Sequence, residues 1–199
     1  MRICFATNNK HKLEEVKDVV LGRGIDIVSL DEIGFYEELP ETRDTLEGNS
    51  LQKAEYLFEK CHIPCFSDDS GLETEALDGA PGVYSARYAG IQRSSEDNMA
   101  LLLKNLEGKI NRRARFRTVI ALIGLEPSPV LFEGVVVGTI IEEKRGAGGF
   151  GYDPIFVPTG HTKTFAEMAL EQKSEMSHRA IAVRKLETYL KEWLADHAK

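Results

Sequence analysis

Phe66-Ser67-Asp68-Asp69-Ser70-Gly71-Leu72 places two adjacent carboxylates at the end of a short apolar run (Ile63, Cys65, Phe66), directly ahead of a Ser-Gly pair. A strand that runs into a turn at this point leaves both acids at an edge facing solvent or a cleft. Neighbouring acids repel each other, so the arrangement is costly unless a cation offsets the charge. Asp68 and Asp69 are therefore candidate magnesium ligands, with Glu41 as a third carboxylate. A plain acidic turn is the alternative.

Working outward, residues 2–6 read as a short buried strand. Leu13, Val16, Val19 and Val20 recur at helical spacing through residues 10–21, and Gly22 and Gly24 end that helix. Residues 26–30 are a second strand, so the chain opens β-α-β and predicts a mixed sheet with helices on its faces. Residues 37–48 read as an acidic loop around Pro40 and residues 49–59 as a helix. Residues 64–67 read as the strand that delivers the aspartates, and Gly79-Ala80-Pro81-Gly82 as a turn. Ser94 caps a helix that runs through Leu106, with Glu96 and Asp97 in its first turn. Residues 115–125 and 130–142 form a hairpin around Pro127-Ser128-Pro129. A final amphipathic helix runs from Ser177 to about Ala195. The expectation is an α/β chain with an elongated mixed sheet, its 199 residues forming one domain of two lobes around a central cleft.

The bulk numbers restrict the function. A hydrophobic share of 42% and a charged share of 29% fit an ordinary globular protein. No apolar run is long enough to span a bilayer, so no membrane is expected as a partner. Polar Asn8, Asn9 and Lys10 interrupt the first apolar residues, which is not the layout of a leader peptide. Three cysteines (Cys4, Cys61, Cys65) suggest reduced thiols in a cytoplasmic protein. Cys61-His62-Ile63-Pro64-Cys65 is only half of a zinc site. A net charge of −7 gives no long-range attraction to a nucleic-acid polymer, though a small polyanion can still be held locally. Arg112, Arg113, Arg115 and Arg117 then read as a solvated or partner-facing strand edge, not as an RNA surface.

Three further stretches carry chemistry. Thr7-Asn8-Asn9-Lys10-His11-Lys12 lies between a strand end and a helix start, where free N–H groups and lysines attract phosphate; a simple helix cap is the alternative. In Gly146-Ala147-Gly148-Gly149-Phe150-Gly151-Tyr152-Asp153-Pro154 the glycines permit close approach of a flat ligand. There Phe150 or Tyr152 could stack on a base and Asp153 could accept a hydrogen bond from it, unless the stretch is only a loop. Lys173 precedes Ser177-His178-Arg179, where Ser177 caps the last helix. His178 and Arg179 then sit in a first turn whose dipole disfavours cations, and that mismatch favours a ligand role over an exposed cap.

Taken in order, Ala6 to Lys12, Ser67 to Leu72, Gly79-Ala80-Pro81-Gly82-Val83-Tyr84-Ser85-Ala86-Arg87-Tyr88, Gly148 to Pro154, and Lys173-Ser174 with Ser177-His178-Arg179 closely resemble the inosine triphosphate pyrophosphatase family. The resemblance spans nearly the whole chain. It implies hydrolysis of the noncanonical purine nucleoside triphosphates ITP, dITP and XTP to the monophosphate and pyrophosphate. It also implies magnesium dependence and a homodimer. Asp69 would be the proton acceptor and a magnesium ligand, and Glu41 the acidic metal residue. Thr7, Asn8, Asn9, Lys10, His11 and Lys12 would hold the triphosphate, with Lys53 near metal and phosphates. Ser70, Phe150, Gly151, Tyr152, Asp153, Lys173, His178 and Arg179 would contact the nucleoside. Many members read Glu-Glu-Thr-Gly and then Phe-x-Glu-Asn-Ala; here Pro40 and Gly48 stand where carboxylates are usual, while Asn49 and Lys53 hold their places. The related Maf-type nucleotide pyrophosphatases are the alternative, and the Gly-Phe-Gly-Tyr-Asp loop and the Ser-His-Arg run argue against them.

Overall fold

The structure, a computed structural model, describes residues 1–20 and 25–197. Strands β1 (Arg2–Phe5), β2 (Asp26–Val28), β3 (Cys65–Thr74), β4 (Arg113–Ile123), β5 (Val130–Ile140) and β6 (Phe156–Pro158) form a mixed sheet in the order β2-β1-β3-β4-β5-β6. β1 pairs in parallel with both β2 and β3, and β5 pairs antiparallel with β6. The helices are α1 (Lys10–Val20), α2 (Leu46–Cys61), α3 (Ser95–Asn105), α4 (Leu170–Met176) and α5 (His178–His197). Leu21, Gly22 and Gly24, expected at the end of α1, lie outside the described residues, as does the side chain of Val19. Among the described residues no helix is long and apolar enough to cross a membrane.

The chain divides into two compact units. Met1–Asp69, Thr118–Gly134 and Arg179–Lys199 make the first, and Ser70–Arg117 with Val135–His178 the second. In the first unit the strand period of two sorts the core. Ile3, Phe5, Ile27, Phe66, Ile120 and Leu122 face one way, onto Val16 and Val20 of α1 and Ala182, Val183, Leu186 and Leu190 of α5. Their neighbours Cys4, Val28, Cys65 and Ala121 face the other way, onto Ala54 and Leu57 of α2. The sheet of this unit is therefore covered on both sides, which explains why its strands read as near-continuous apolar runs. In the second unit Leu72, Phe116, Ile140 and Phe156 pack with Met99, Leu102 and Leu106 of α3 and with Tyr152, Ile155 and Phe165.

Two sequence expectations are corrected here. α2 begins at Leu46, three residues before the expected start, because the Thr45 hydroxyl accepts from the Gly48 N–H at 3.0 Å and caps it. The larger correction concerns Ser70-Gly71, which is not a turn. β3 continues through it to Thr74, so the two aspartates lie mid-strand and are buried, Asp68 at 1% and Asp69 at 8% exposure. Gly71 is there for space: a Cβ would come within 2.4 Å of the Gly82 carbonyl oxygen. The adjacent Leu72 N–H donates to Ser85 Oγ at 2.8 Å, which fixes β3 to the 3-10 segment Gly82–Arg87. Gly71→Ala should therefore destabilise by about 1–3 kcal/mol as an overpacking change, lowering the Tm by at least about 3 °C. A thermal melt unchanged from wild type would mean that the Gly82 carbonyl moves aside freely.

Candidate active site

Consecutive strand residues point to opposite faces, and this separates the two aspartates chemically. Asp68 points toward α1 and α5. Its Oδ1 accepts from Lys12 Nζ at 2.9 Å and its Oδ2 from Arg179 Nε at 3.0 Å. Arg179 also donates through Nη1 to Glu15 of α1. These groups are nearly inaccessible, with side-chain exposures of 13% for Lys12, 2% for Arg179 and 1% for Asp68. Burial works to raise the Asp68 pKa, but Lys12, Arg179 and Lys53 outweigh it and hold the carboxyl far below the usual carboxylate range.

Asp69 points the other way, toward α2. Asn49 Nδ2 donates to its Oδ2 at 3.1 Å, and Lys53 Nζ lies 3.8 Å from its Oδ1. The same ammonium donates to Glu41 Oε1 at 2.8 Å and to the Asp68 main-chain oxygen at 2.7 Å. The segment that follows Glu41 is held to α2: the Thr42 N–H donates to Gln52 Oε1 at 2.9 Å, and the Arg43 N–H to Asn49 Oδ1 at 2.9 Å. Burial raises the Asp69 pKa above the ordinary carboxylate value, Lys53 and Lys12 oppose it, and Glu41 adds to the rise. Asp69 is thus the better proton acceptor of the two, and Asp68 the permanently charged one.

At the start of α1, Thr7 Oγ1 accepts from the Asn9 N–H and Asn9 Oδ1 from the Lys12 N–H, both at 3.2 Å. Thr7 and Asn9 thus cap α1, and Asn8, Lys10 and His11 are exposed beside the cap. The three candidate metal carboxylates differ in what already holds them. Asp69 and Glu41 already converge on a cation, the Lys53 ammonium, whereas both oxygens of Asp68 are taken by Lys12 and Arg179. Among the described residues no group of three or more His, Cys, Asp or Glu gathers as a metal cluster. A hard cation here would therefore rest on two carboxylates, with phosphate oxygens and waters completing its shell.

In the second unit Asp153 Oδ2 accepts from Lys173 Nζ at 2.8 Å and from the Phe150 N–H at 2.9 Å. Lys173 Nζ sits 4.9 Å from the Phe150 ring centroid. His178 stacks on Phe116 with ring centroids 4.7 Å apart. Gly151 and Ser70 are half-buried. Gly149, at φ +69, leaves no room for a side chain, since a Cβ would meet Asp153 Oδ2 at 2.1 Å.

One expected role changes. Tyr152 does not serve as a base-stacking surface; it is 4% exposed and its hydroxyl donates to the Ser85 carbonyl at 2.7 Å. His178 and Arg179 are buried and not an exposed cap. A base contact by Arg179 would require it to leave two buried carboxylates, a costly rearrangement. The arginine strand edge has local partners: Arg115 and Arg117 lie 2.6 and 3.9 Å from Glu73, Arg113 lies 3.5 Å from Glu75, and Arg112 donates to main-chain oxygens of Leu106, Ile140 and Ile141. Cys4 and Cys65 are buried thiols whose pKa values burial pushes up to about 12, which leaves little thiolate for metal or redox chemistry. Two groups in the arrangement were absent from the expected site. Glu15 falls three residues after Lys12 on α1, and its polarity beside apolar Val16 was its only signal. Asn49 connects Asp69 to the Glu41 segment.

Comparison with known proteins adds an independent line. The profile of the Ham1 family matches residues 3–189. A dITP/XTP pyrophosphatase of Porphyromonas gingivalis is 53% identical over 190 residues, 95% of this chain and 97% of that protein. One from Flavobacterium johnsoniae is 50% identical over 186 residues, 94% and 96% of the two chains. The solved structure of the Staphylococcus aureus Ham1 protein superposes with a TM-score of 0.87 at 38% identity, over 96% of this chain and 99% of that one.

Asp68→Asn should cost about 3–5 kcal/mol in urea denaturation, because it leaves Lys12 and Arg179 poorly compensated in a buried place. The folded Asp68 pKa is depressed, so its stabilisation is complete above the unfolded value of about 3.9 and disappears as pH falls toward the folded value. Wild-type Tm should thus fall more steeply below about pH 4 than that of Asp68→Asn. Parallel Tm profiles would show that this carboxylate is not held ionised.

Proposed function

The chain belongs to the Ham1 family, and on that footing we propose that it is a nucleoside-triphosphate pyrophosphatase that hydrolyses noncanonical purine nucleotides, dITP, XTP and ITP, to the monophosphate and pyrophosphate. The observation that carries the reading is the division of labour on β3. Asp68 is fixed as an anion by two cations, and Asp69 is left more basic, in reach of Lys53 and Glu41. The near-full-length likeness to dITP/XTP pyrophosphatases supports the same substrates, and a Maf-type enzyme is not favoured.

Pyrophosphate release follows attack of water on the α-phosphorus. Asp69 takes the proton from that water, a role that suits a carboxylate with a raised pKa. Lys10, Lys12, Lys53 and the N-terminal N–H groups of α1 bind the triphosphate and stabilise the departing pyrophosphate. Asp68 orients Lys12 for this task. Magnesium, held by Asp69 and Glu41 when bound, supplies charge neutralisation and a more acidic water. Asp153 and Lys173 place an acceptor beside a donor. That pairing suits the N1–H donor and 6-oxo acceptor of hypoxanthine and xanthine, and adenine presents the reverse. Phe150, at the edge of the same pair, is the stacking residue in this reading, with Ser70, Gly151 and His178 around the nucleoside. A homodimer working in the cytoplasm completes the proposal, on the family likeness.

Two measurements test it. Asp69→Asn should lower kcat by about 10²–10⁴-fold with little change in Tm. Pyrophosphate release with magnesium should run far faster on dITP, XTP and ITP than on ATP, UTP or TTP. Near-normal turnover by Asp69→Asn removes the proton-acceptor role, and a pyrimidine preference transfers the protein to the Maf-type reading.

A further inference from the structure

The mechanism uses Lys53 only as a phosphate ligand, yet its position is unusual for one. Lys53 is 5% exposed and sits inside the carboxylate set, with its ammonium donating to Glu41 Oε1 and the Asp68 main-chain oxygen and lying 3.8 Å from Asp69 Oδ1. We propose that Lys53 is the resident counter-ion of the Asp69–Glu41 pair, keeping the two carboxylates assembled and competing directly with the divalent cation for them. The inference rests on reading Asp69 and Glu41 as the magnesium ligands.

Charge and geometry carry it. Lys12, Lys53 and Arg179 are the three cations of the network, and Glu15, Glu41, Asp68 and Asp69 are its four carboxylates. Lys12 and Arg179 bond to Asp68 on the opposite face of β3, whereas Lys53 bonds to Glu41 and lies nearest to Asp69. Without it, Glu41 and Asp69 would repel each other in a poorly hydrated place.

A divalent ion on the same two carboxylates would be repelled by this ammonium and would replace its carboxylate contacts. The bond to the Asp68 main-chain oxygen involves no side chain that the ion needs. Lys53 can keep that bond as a pivot and turn its freed N–H groups to phosphate. Cation binding and phosphate binding are then linked through one side chain: the ion releases the lysine that the triphosphate uses. This makes Lys53 a positioning residue before metal binding and a substrate ligand after it.

The test is Mn²⁺ binding to the nucleotide-free protein, read from the free-Mn²⁺ electron paramagnetic resonance signal, with circular dichroism as the check of folding. Lys53→Met keeps the length of the stem and removes the charge, so it should bind Mn²⁺ about tenfold more tightly than wild type, or more. Lys53→Arg should match wild type. Equal or weaker binding by folded Lys53→Met overturns the inference. Should that variant fail to fold, lysine-selective NMR of the wild-type protein decides. Saturating Mg²⁺ should shift the Lys53 13Cε resonance, and an unmoved resonance overturns the inference. Asp69→Asn separates the two levels. If it leaves Mn²⁺ binding intact, the metal reading itself fails. If it abolishes binding while Lys53→Met binds no more tightly, only the counter-ion role fails.

Discussion

The Asp68 carboxylate is the interaction on which the rest of this structure depends. It sits at 1% exposure in the middle of β3 and is tolerable there only because Lys12 and Arg179 each reach one of its oxygens. Those two cations come from α1 and α5, whose apolar sides pack on Phe5, Phe66, Ile120 and Leu122. The hydrophobic core therefore delivers the charges, and the charges in turn fix where α1 starts. Replacing such a set with apolar residues would often be neutral or stabilising for a fold alone. Its retention in the core makes sense as orientation: Lys12 is aimed, and Asp68 cannot be protonated near neutral pH.

With Asp68 locked, its neighbour is free to differ. The two acids share a backbone and nearly the same depth, yet one has its pKa driven down and the other driven up. The cause is the two-residue period of a strand, which gives Asp68 two full cations and Asp69 an amide and a more distant ammonium. Pairs of carboxyls pushed apart in this way are the usual means of assigning separate duties to identical side chains.

Much of this was legible in the sequence, and the exceptions have physical reasons. Strands in the first unit were readable because both faces are apolar, as in Ile3, Cys4 and Phe5. The Ser94 cap announced α3 and was found at its place. Ser70-Gly71 misled because composition alone equates such a pair with a turn. What Gly71 serves is the passage of the Gly82 carbonyl, and that neighbour is not local in sequence. The mismatch of Arg179 with its helix dipole was visible, but its partners lie 111 and 164 residues away and no local pattern could name them. The Thr45 cap was overlooked because Gly48 reads as loop, although that glycine's N–H is the one the cap needs.

Gly48 lies at the junction of the Glu41 loop and α2, and the geometry gives a reason for a glycine there. At Gly48 a Cβ would meet Arg43 Cβ at 2.8 Å and Thr45 Oγ1 at 2.9 Å, so the approach of the loop to the helix cap requires a glycine. The same close approach brings the Arg43 N–H onto Asn49 and the Thr42 N–H onto Gln52, which anchors the chain just after Glu41. A more acidic loop would add repulsion to a network in which Glu15, Glu41, Asp68 and Asp69 already lie close together.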